Sequence, residues 1–117
     1  MLTRHHTGTR MSQMVEVPAG AAMVYLAGQI SDDRSLDLEG QTRNILAKID
    51  RYLAEAGTDR SNIVSAMIWL SDIRNRHAVN AIWDDWVPDG EAPARACVEA
   101  RLAEPTDLVE IQVIAAK

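Results

Sequence analysis

Apolar residues recur at helical spacing in two segments of the chain. In the first segment charged residues fill the opposite face, which is typical of an amphipathic helix lying on a sheet. Asp37 precedes this segment as a candidate N-cap, and Gly57 follows it as a candidate stop. Pro88 and Gly90 close the second segment. The two apolar stripes consist of Leu38, Thr42, Ile45, Leu46, Ile49, Leu53 and Ala56, and of Val79, Ile82, Trp83 and Trp86.

Alternation with a period of two predicts strands, most clearly from Pro93 to Leu102. Val109 to Ala115 alternates in the same way and leaves Glu110 and Gln112 on its polar face. The apolar face of the Pro93–Leu102 strand holds Ala94, Ala96, Val98, Ala100 and Leu102, and its polar face holds Arg95, Cys97, Glu99 and Arg101.

Three further strands are predicted at Met11–Val17, Met23–Ala27 and Ile63–Leu70. The last of these is apolar on both faces, which predicts that a layer of structure packs on each face. We expect helices to pack on one face, and more sheet or another subunit to pack on the other. The predicted fold is therefore α+β, a single mostly antiparallel sheet with two helices packed on one face. Residues 1–117 form one domain, in which residues 1–9 show no periodicity and are predicted to be an irregular arm.

The composition indicates an ordinary globular protein and excludes several partners. Of the 117 residues, 47% are hydrophobic and 25% are charged, which is typical of a chain that buries a real core. A net charge of −5 argues against nucleic acid and anionic membrane surfaces as partners. No apolar run approaches the roughly 20 residues that span a bilayer. With no export signal and a single cysteine, the expected compartment is the cytoplasm.

Arg95, Cys97 and Glu110 are the candidates for chemistry. A guanidinium on a strand can bind a carboxylate with two hydrogen bonds, and a nearby glutamate can deprotonate a water. Such a set suits a 2-imino acid and requires neither a metal nor a cofactor. From spacing alone, a structural network of ion pairs is an equally good interpretation. Cys97 has no histidine positioned to activate it, so a cysteine nucleophile is not expected.

The same segments resemble the RidA/YjgF family of enamine/imine deaminases over nearly the whole chain from about Gly8 onward. The Pro-Ala-Arg run followed by a later glutamate is fairly specific, whereas Gly-Gln alone is a weak signal. The motifs that carry the resemblance are Ala92–Glu99, Val109–Ile111, Val24–Ile30, Gln41–Thr42 and Val79–Ala81.

The resemblance implies a 2-iminobutanoate/2-iminopropanoate deaminase-like hydrolase that makes 2-keto acids and ammonia. In such proteins, the position of Arg95 clamps the substrate carboxylate, and that of Glu110 activates water. The resemblance also implies that Cys97, Gly28 and Asn80 line the substrate pocket.

Two residues of the implied pocket depart from the family pattern. Met11 stands where many members have a tyrosine, and Ala27 where many have a serine. Both changes remove hydroxyl groups from the pocket, so the chain resembles a divergent branch of the family.

The spacing of Arg95 and Glu110 predicts a pocket that needs two chains. If the last two strands form a hairpin that turns near Pro105, Arg95 lies opposite about Ile114. Four residues at ~3.3 Å each then separate Arg95 from Glu110 by ~13 Å. The resemblance implies a homotrimer with sites between subunits. The alternatives are a non-catalytic module that binds small carboxylates in the same pocket and a holdase-like interaction protein.

Overall fold

The computed structural model describes residues 1–117 and shows an α+β fold in which two helices pack on a mixed sheet. No helix in the structure has the combination of length and apolar character that crossing a membrane requires. The helices are α1 (Leu38–Glu55) and α2 (Arg76–Trp86), and the strands are β1 (Thr3–Thr7), β2 (Ser12–Glu16), β3 (Met23–Tyr25), β4 (Ile63–Leu70), β5 (Ala94–Glu99) and β6 (Val109–Ala116).

Both predicted helices are confirmed, and their ends follow local rules. The side chain of Asp37 accepts a hydrogen bond from the N–H of Gly40 at 2.8 Å, so Asp37 is the N-cap of α1. Gly57 adopts a φ of +82°, the left-handed conformation in which glycine commonly ends a helix. Both ends were predictable because the residues that define them are neighbours in the sequence.

The prediction of a single sheet is wrong, and the larger sheet is mixed, although three of the four strand pairs are antiparallel as predicted. The strands form two sheets, a two-stranded sheet of β1 and β2 and a four-stranded sheet in the order β3-β6-β4-β5. Within the larger sheet β5 runs parallel to β4. A parallel pair needs a crossover connection, and α2 provides it.

The prediction of an irregular arm at residues 1–9 is also wrong. Thr3–Thr7 is a strand that pairs antiparallel with Ser12–Glu16. Its residues are Thr-Arg-His-His-Thr, so polar side chains occupy both faces and no hydrophobic alternation marks the strand. The imidazole of His5 pairs with the carboxylate of Glu16 at 2.6 Å.

The predicted hairpin between the last two strands does not form, because β4 lies between β5 and β6. Arg95 pairs with Ala66, which pairs on its other side with Val113, whereas Glu110 pairs with Trp69. Arg95 and Glu110 are therefore two strands and three residues apart. At ~4.8 Å per strand and ~3.3 Å per residue, their Cα atoms are separated by about 14 Å.

The two faces of the larger sheet differ in what covers them. The helices and the inward residues of β4 and β6 form one hydrophobic core, which includes the fully buried Trp83. The opposite face has no layer over it, and there Tyr25 is 72% exposed and Val98 43% exposed. Because paired residues share a face, Arg95 and Cys97 lie on the helix side with Ala66 and Ile68, while Glu110 lies on the open side.

Candidate functional site

Arg95 has a partly buried guanidinium that forms no ion pair within the chain. Its guanidinium lies over the ring of Trp83, with Cζ 5.5 Å from the ring centroid. The Nε and Nη1 atoms are buried and have no hydrogen-bond partner in the chain. Burial lowers the pKa of Arg95, and the positive charge of Arg10 lowers it further, against the opposing effect of Cys97. Because an unpaired buried donor costs about 1–3 kcal/mol, this guanidinium is suited to receive an anion.

Asn80 lies on the same face of α2 as Trp83, three residues before it. It is 6% exposed, and its Oδ1 atom also lacks a hydrogen-bond partner. The carbonyl oxygen of Asn80 is therefore free to accept a hydrogen bond from a ligand.

Met11 is held beside the start of β5 by hydrogen bonds of its neighbours. The indole Nε1 of Trp83 donates to the carbonyl oxygen of Arg10 at 2.8 Å. Ser12 donates through its N–H to the carbonyl oxygen of Pro93 at 2.9 Å and through its Oγ to that of Ala92 at 2.6 Å. The segment thus places Met11 next to the start of the strand that carries Arg95.

Cys97 follows Arg95 on the same side of β5 and packs against the core. Burial raises the pKa of its thiol above the usual value, while the charges of Arg95, Arg76 and Arg10 act in the opposite direction. The net result is a neutral thiol at physiological pH. A neutral, half-buried thiol is a poor nucleophile, which agrees with the sequence analysis.

Glu110 lies on the open face of the sheet, directly over Gly28. A Cβ atom added to Gly28 would lie 2.1 Å from Oε2 of Glu110, so only glycine allows this approach. The loop is fixed to β6 because Gln29 and Ile111 exchange backbone hydrogen bonds of 2.8 and 3.0 Å. Ala27 is exposed beside them, and its carbonyl oxygen accepts a hydrogen bond of 3.0 Å from Nε2 of Gln29.

The predicted site residues therefore form two separate groups. The Arg95 half-site consists of Arg95 and Cys97 on the helix side of β5, Asn80 on α2 and Met11 beside the start of β5. The Glu110 half-site consists of Glu110, Gly28 and Ala27, on the open side. The largest cavity of the chain, about 750 Å³, contains neither group, since residues 99–105, Ser71 and Asp107 line it.

Sequence reasoning missed three residues that support the Arg95 half-site. Trp83 belongs to the apolar stripe of the second helix, but it also supports the guanidinium of Arg95. Asp84 holds Arg10 through two hydrogen bonds of 3.0 and 2.9 Å. Arg10 was not singled out at all. Its partner is 74 residues away in the chain, so no local pattern reveals the pair.

The chain matches known proteins over nearly its whole length. The family model described as endoribonuclease L-PSP matches residues 4–117. A RutC family protein from Haemophilus ducreyi is 41% identical over 116 residues, which are 99% of this chain and 97% of that protein. The RutC family protein YoaB from Escherichia coli is 40% identical over 93 residues, which are 80% and 81% of the two chains.

Solved structures show the same fold. A member of the YjgF protein family from Neisseria meningitidis superposes with a TM-score of 0.78 at 39% identity, covering 100% of this chain and 95% of that one. Two helices on a mixed sheet are therefore the shared architecture of this chain and of that structure.

Proposed function

Because this chain belongs to the RidA/YjgF family, we propose that it hydrolyses reactive 2-imino and enamine acids to 2-keto acids and ammonia. The observation that carries the proposal is the guanidinium of Arg95, in which two buried donor atoms have no hydrogen-bond partner. Such a group binds the one feature that all these substrates share, the carboxylate next to the imine carbon.

The active site in this proposal lies in a cleft between two chains. One chain supplies the Arg95 half-site, and its neighbour supplies the Glu110 half-site. Within one chain the two residues point to opposite faces of the sheet, about 14 Å apart by strand and residue spacing. A small substrate bound to Arg95 therefore needs Glu110 from a second copy.

A homotrimer is the assembly that we propose, because it supplies that second copy. The open face of the sheet is apolar at four residues, of which Tyr25 and Val98 are exposed and Met67 and Trp69 are half-buried. Cyclic threefold closure buries this face on every chain and creates three equivalent clefts.

The reaction is an addition of water followed by loss of ammonia. Arg95 holds the substrate carboxylate, and Glu110 accepts a proton from a water whose oxygen bonds to the imine carbon. The C=N electron pair moves to nitrogen, which takes this proton from Glu110, and the product is a neutral carbinolamine. Glu110 then accepts the hydroxyl proton and transfers it to the nitrogen. The O–H electron pair forms the C=O bond as the C–N bond breaks, which releases the 2-keto acid and ammonia.

The alternative is a module that binds small carboxylates without converting them. The unpaired atoms of Arg95 and Asn80 favour this module, because binding a carboxylate requires the Arg95 half-site alone. Hydrolysis requires Glu110 in addition, so Glu110 separates the two functions.

The test is an assay in which an amino-acid oxidase generates imines and their decay is followed with and without the protein. We expect faster decay with the wild type and a loss of about 10²-fold or more in Glu110→Gln, because the amide cannot act as a base. Glu55→Gln, at an exposed position of α1, is the matched control and is expected to act like the wild type. If Glu110→Gln keeps full turnover, Glu110 is not the base. If the wild type has no effect on several imines but still binds 2-keto acids, the binding module is correct.

A further inference from the structure

One indole connects Arg10 to the Arg95 half-site. The Nε1 of Trp83 donates a hydrogen bond of 2.8 Å to the carbonyl oxygen of Arg10. The ring of the same side chain lies beneath the guanidinium of Arg95, with Cζ 5.5 Å from the ring centroid. Trp83 is fully buried in the close-packed core, so its ring is held in place. The main chain of Arg10 therefore lies at the edge of the ring that carries Arg95 on its face.

A second set of contacts holds the same segment against β5. Ser12 follows Arg10 by two residues, and its N–H donates to the carbonyl oxygen of Pro93 at 2.9 Å. Pro93 precedes Arg95 by two residues. The hydroxyl of Ser12 also donates to the carbonyl oxygen of Ala92 at 2.6 Å. The position of Arg10 beside the half-site is thus fixed from two sides, by α2 and by β5.

The carboxylate of Asp84 lies in the same region but is paired with Arg10 and not with Arg95. Its side chain is 25% exposed, and it accepts hydrogen bonds from Nε and Nη2 of Arg10 at 3.0 and 2.9 Å. Arg10 is its one ion-pair partner. Burial lowers the pKa of Arg95, and the negative charges of Cys97 and Asp84 oppose this effect. A carboxylate close enough to act on Arg95 therefore leaves two donors of that guanidinium unpaired.

An Asp84 without Arg10 would oppose carboxylate binding in two ways. Its negative charge would repel the carboxylate of a ligand, and its oxygen atoms would compete for the free donors of Arg95. The two hydrogen bonds from Arg10 occupy these oxygen atoms and neutralise the charge. Arginine suits this role because its planar guanidinium matches a carboxylate and stays protonated.

We propose that Arg10 is a positioning residue that binds Asp84 and so keeps the Arg95 half-site open to the carboxylate of a ligand. The proposal rests on the proposed function, since it assumes that Arg95 binds the carboxylate of the substrate. Arg10 acts through Asp84 and takes no part in the hydrolysis.

The experiment uses calorimetry to measure how tightly the protein binds 2-oxobutanoate, the keto acid that hydrolysis of 2-iminobutanoate yields. Arg10→Gln should bind it about 10-fold more weakly than the wild type, the scale of one hydrogen bond to a charged group. Asp84→Asn should bind it at least as tightly as the wild type. The double variant should lie within about twofold of the wild type, because the charge that Arg10 neutralises is then absent.

The double variant separates this role from a purely structural one. If the contact only tied the Arg10 segment to α2, either substitution would break the tie, and Asp84→Asn would not rescue Arg10→Gln. Arg10→Lys should keep part of the affinity, because the positive charge remains although the planar fork is lost.

Arg74→Gln is the matched control. It removes an arginine from another contact with an aspartate, where the exposed Arg74 pairs with Asp72 at 2.7 Å, and it should leave the affinity unchanged. Wild-type affinity in Arg10→Gln, or a double variant as weak as Arg10→Gln, would overturn the role of Arg10 while leaving the proposed function standing. Weaker binding in Asp84→Asn would overturn it as well. Failure of the wild type to bind the keto acid would overturn both.

Discussion

Replacing Gly28 by alanine is the perturbation whose effect the structure defines most sharply. The new Cβ would lie 2.1 Å from Oε2 of Glu110, whereas ordinary contact begins at 3.4 Å. The carboxylate must therefore move by about 1.3 Å. It is the free end of a flexible side chain, so the fold can absorb this movement without a change in the backbone.

The expected result is a large loss of activity with little loss of stability. A misplacement of about 1 Å in a catalytic group can reduce the rate about 10²-fold. The φ angle of Gly28 is not positive, so alanine is compatible with the backbone, and the free energy of unfolding should change by less than about 1 kcal/mol. Imine decay and urea denaturation measure the two quantities.

Two controls separate this explanation from a general defect. Gly8→Ala places a Cβ at an ordinary 3.7 Å from the carbonyl oxygen of Met11, and it should leave the rate unchanged. In a Glu110→Ala background, Gly28→Ala should cause no further loss, because the group that it displaces is already absent. A stable Gly28→Ala protein with the wild-type rate would refute the placement of Glu110 at the reacting carbon.

Three further expectations concern single residues. Arg95→Ala should abolish turnover and weaken keto-acid binding by about 1.5–3 kcal/mol, measured by calorimetry, and Arg95→Lys should restore only part because lysine lacks the planar fork. Because burial raises the pKa of its thiol, Cys97 should react with iodoacetamide more slowly than a free thiol at pH 8. Its reaction rate should still rise at pH values where the rate of a free thiol has levelled off. A rate equal to that of a free thiol would contradict this. Asp37→Ala should lower the free energy of unfolding by about 1 kcal/mol in urea denaturation, because the N–H of Gly40 loses its cap. An unchanged denaturation midpoint would show that the cap contributes nothing to stability.

The elements set by neighbouring residues were predictable, and those set by distant pairing were not. The cap at Asp37, the stop at Gly57 and the alternation of β5 are local signals, and the structure confirms each of them. The alternation in β5 predicts that Arg95 and Val98 lie on opposite faces of the strand, but it does not predict which face meets the helices. In the structure Arg95 faces the helices and Val98 faces outward.

The place of β5 in the sheet depends on long-range pairing, which no local pattern contains. The insertion of β4 between β5 and β6 replaced the expected hairpin. The expectation that one chain keeps Arg95 and Glu110 apart nevertheless agrees with the structure, for a different reason. They are apart because two strand spacings and three residues separate them and because they lie on opposite faces of the sheet, and not because of the register of a hairpin.

The central claim, a site shared between chains, is tested most directly by mixing two inactive variants. Arg95→Ala and Glu110→Gln each destroy one half-site and leave the other intact. After the two proteins are unfolded and refolded together, hybrid trimers should contain some clefts in which an intact Arg95 meets an intact Glu110. We predict that imine hydrolysis returns in the mixture and stays absent in each variant refolded alone. No recovery in hybrids verified by mass spectrometry, or full activity in a monomeric protein, would contradict the shared site.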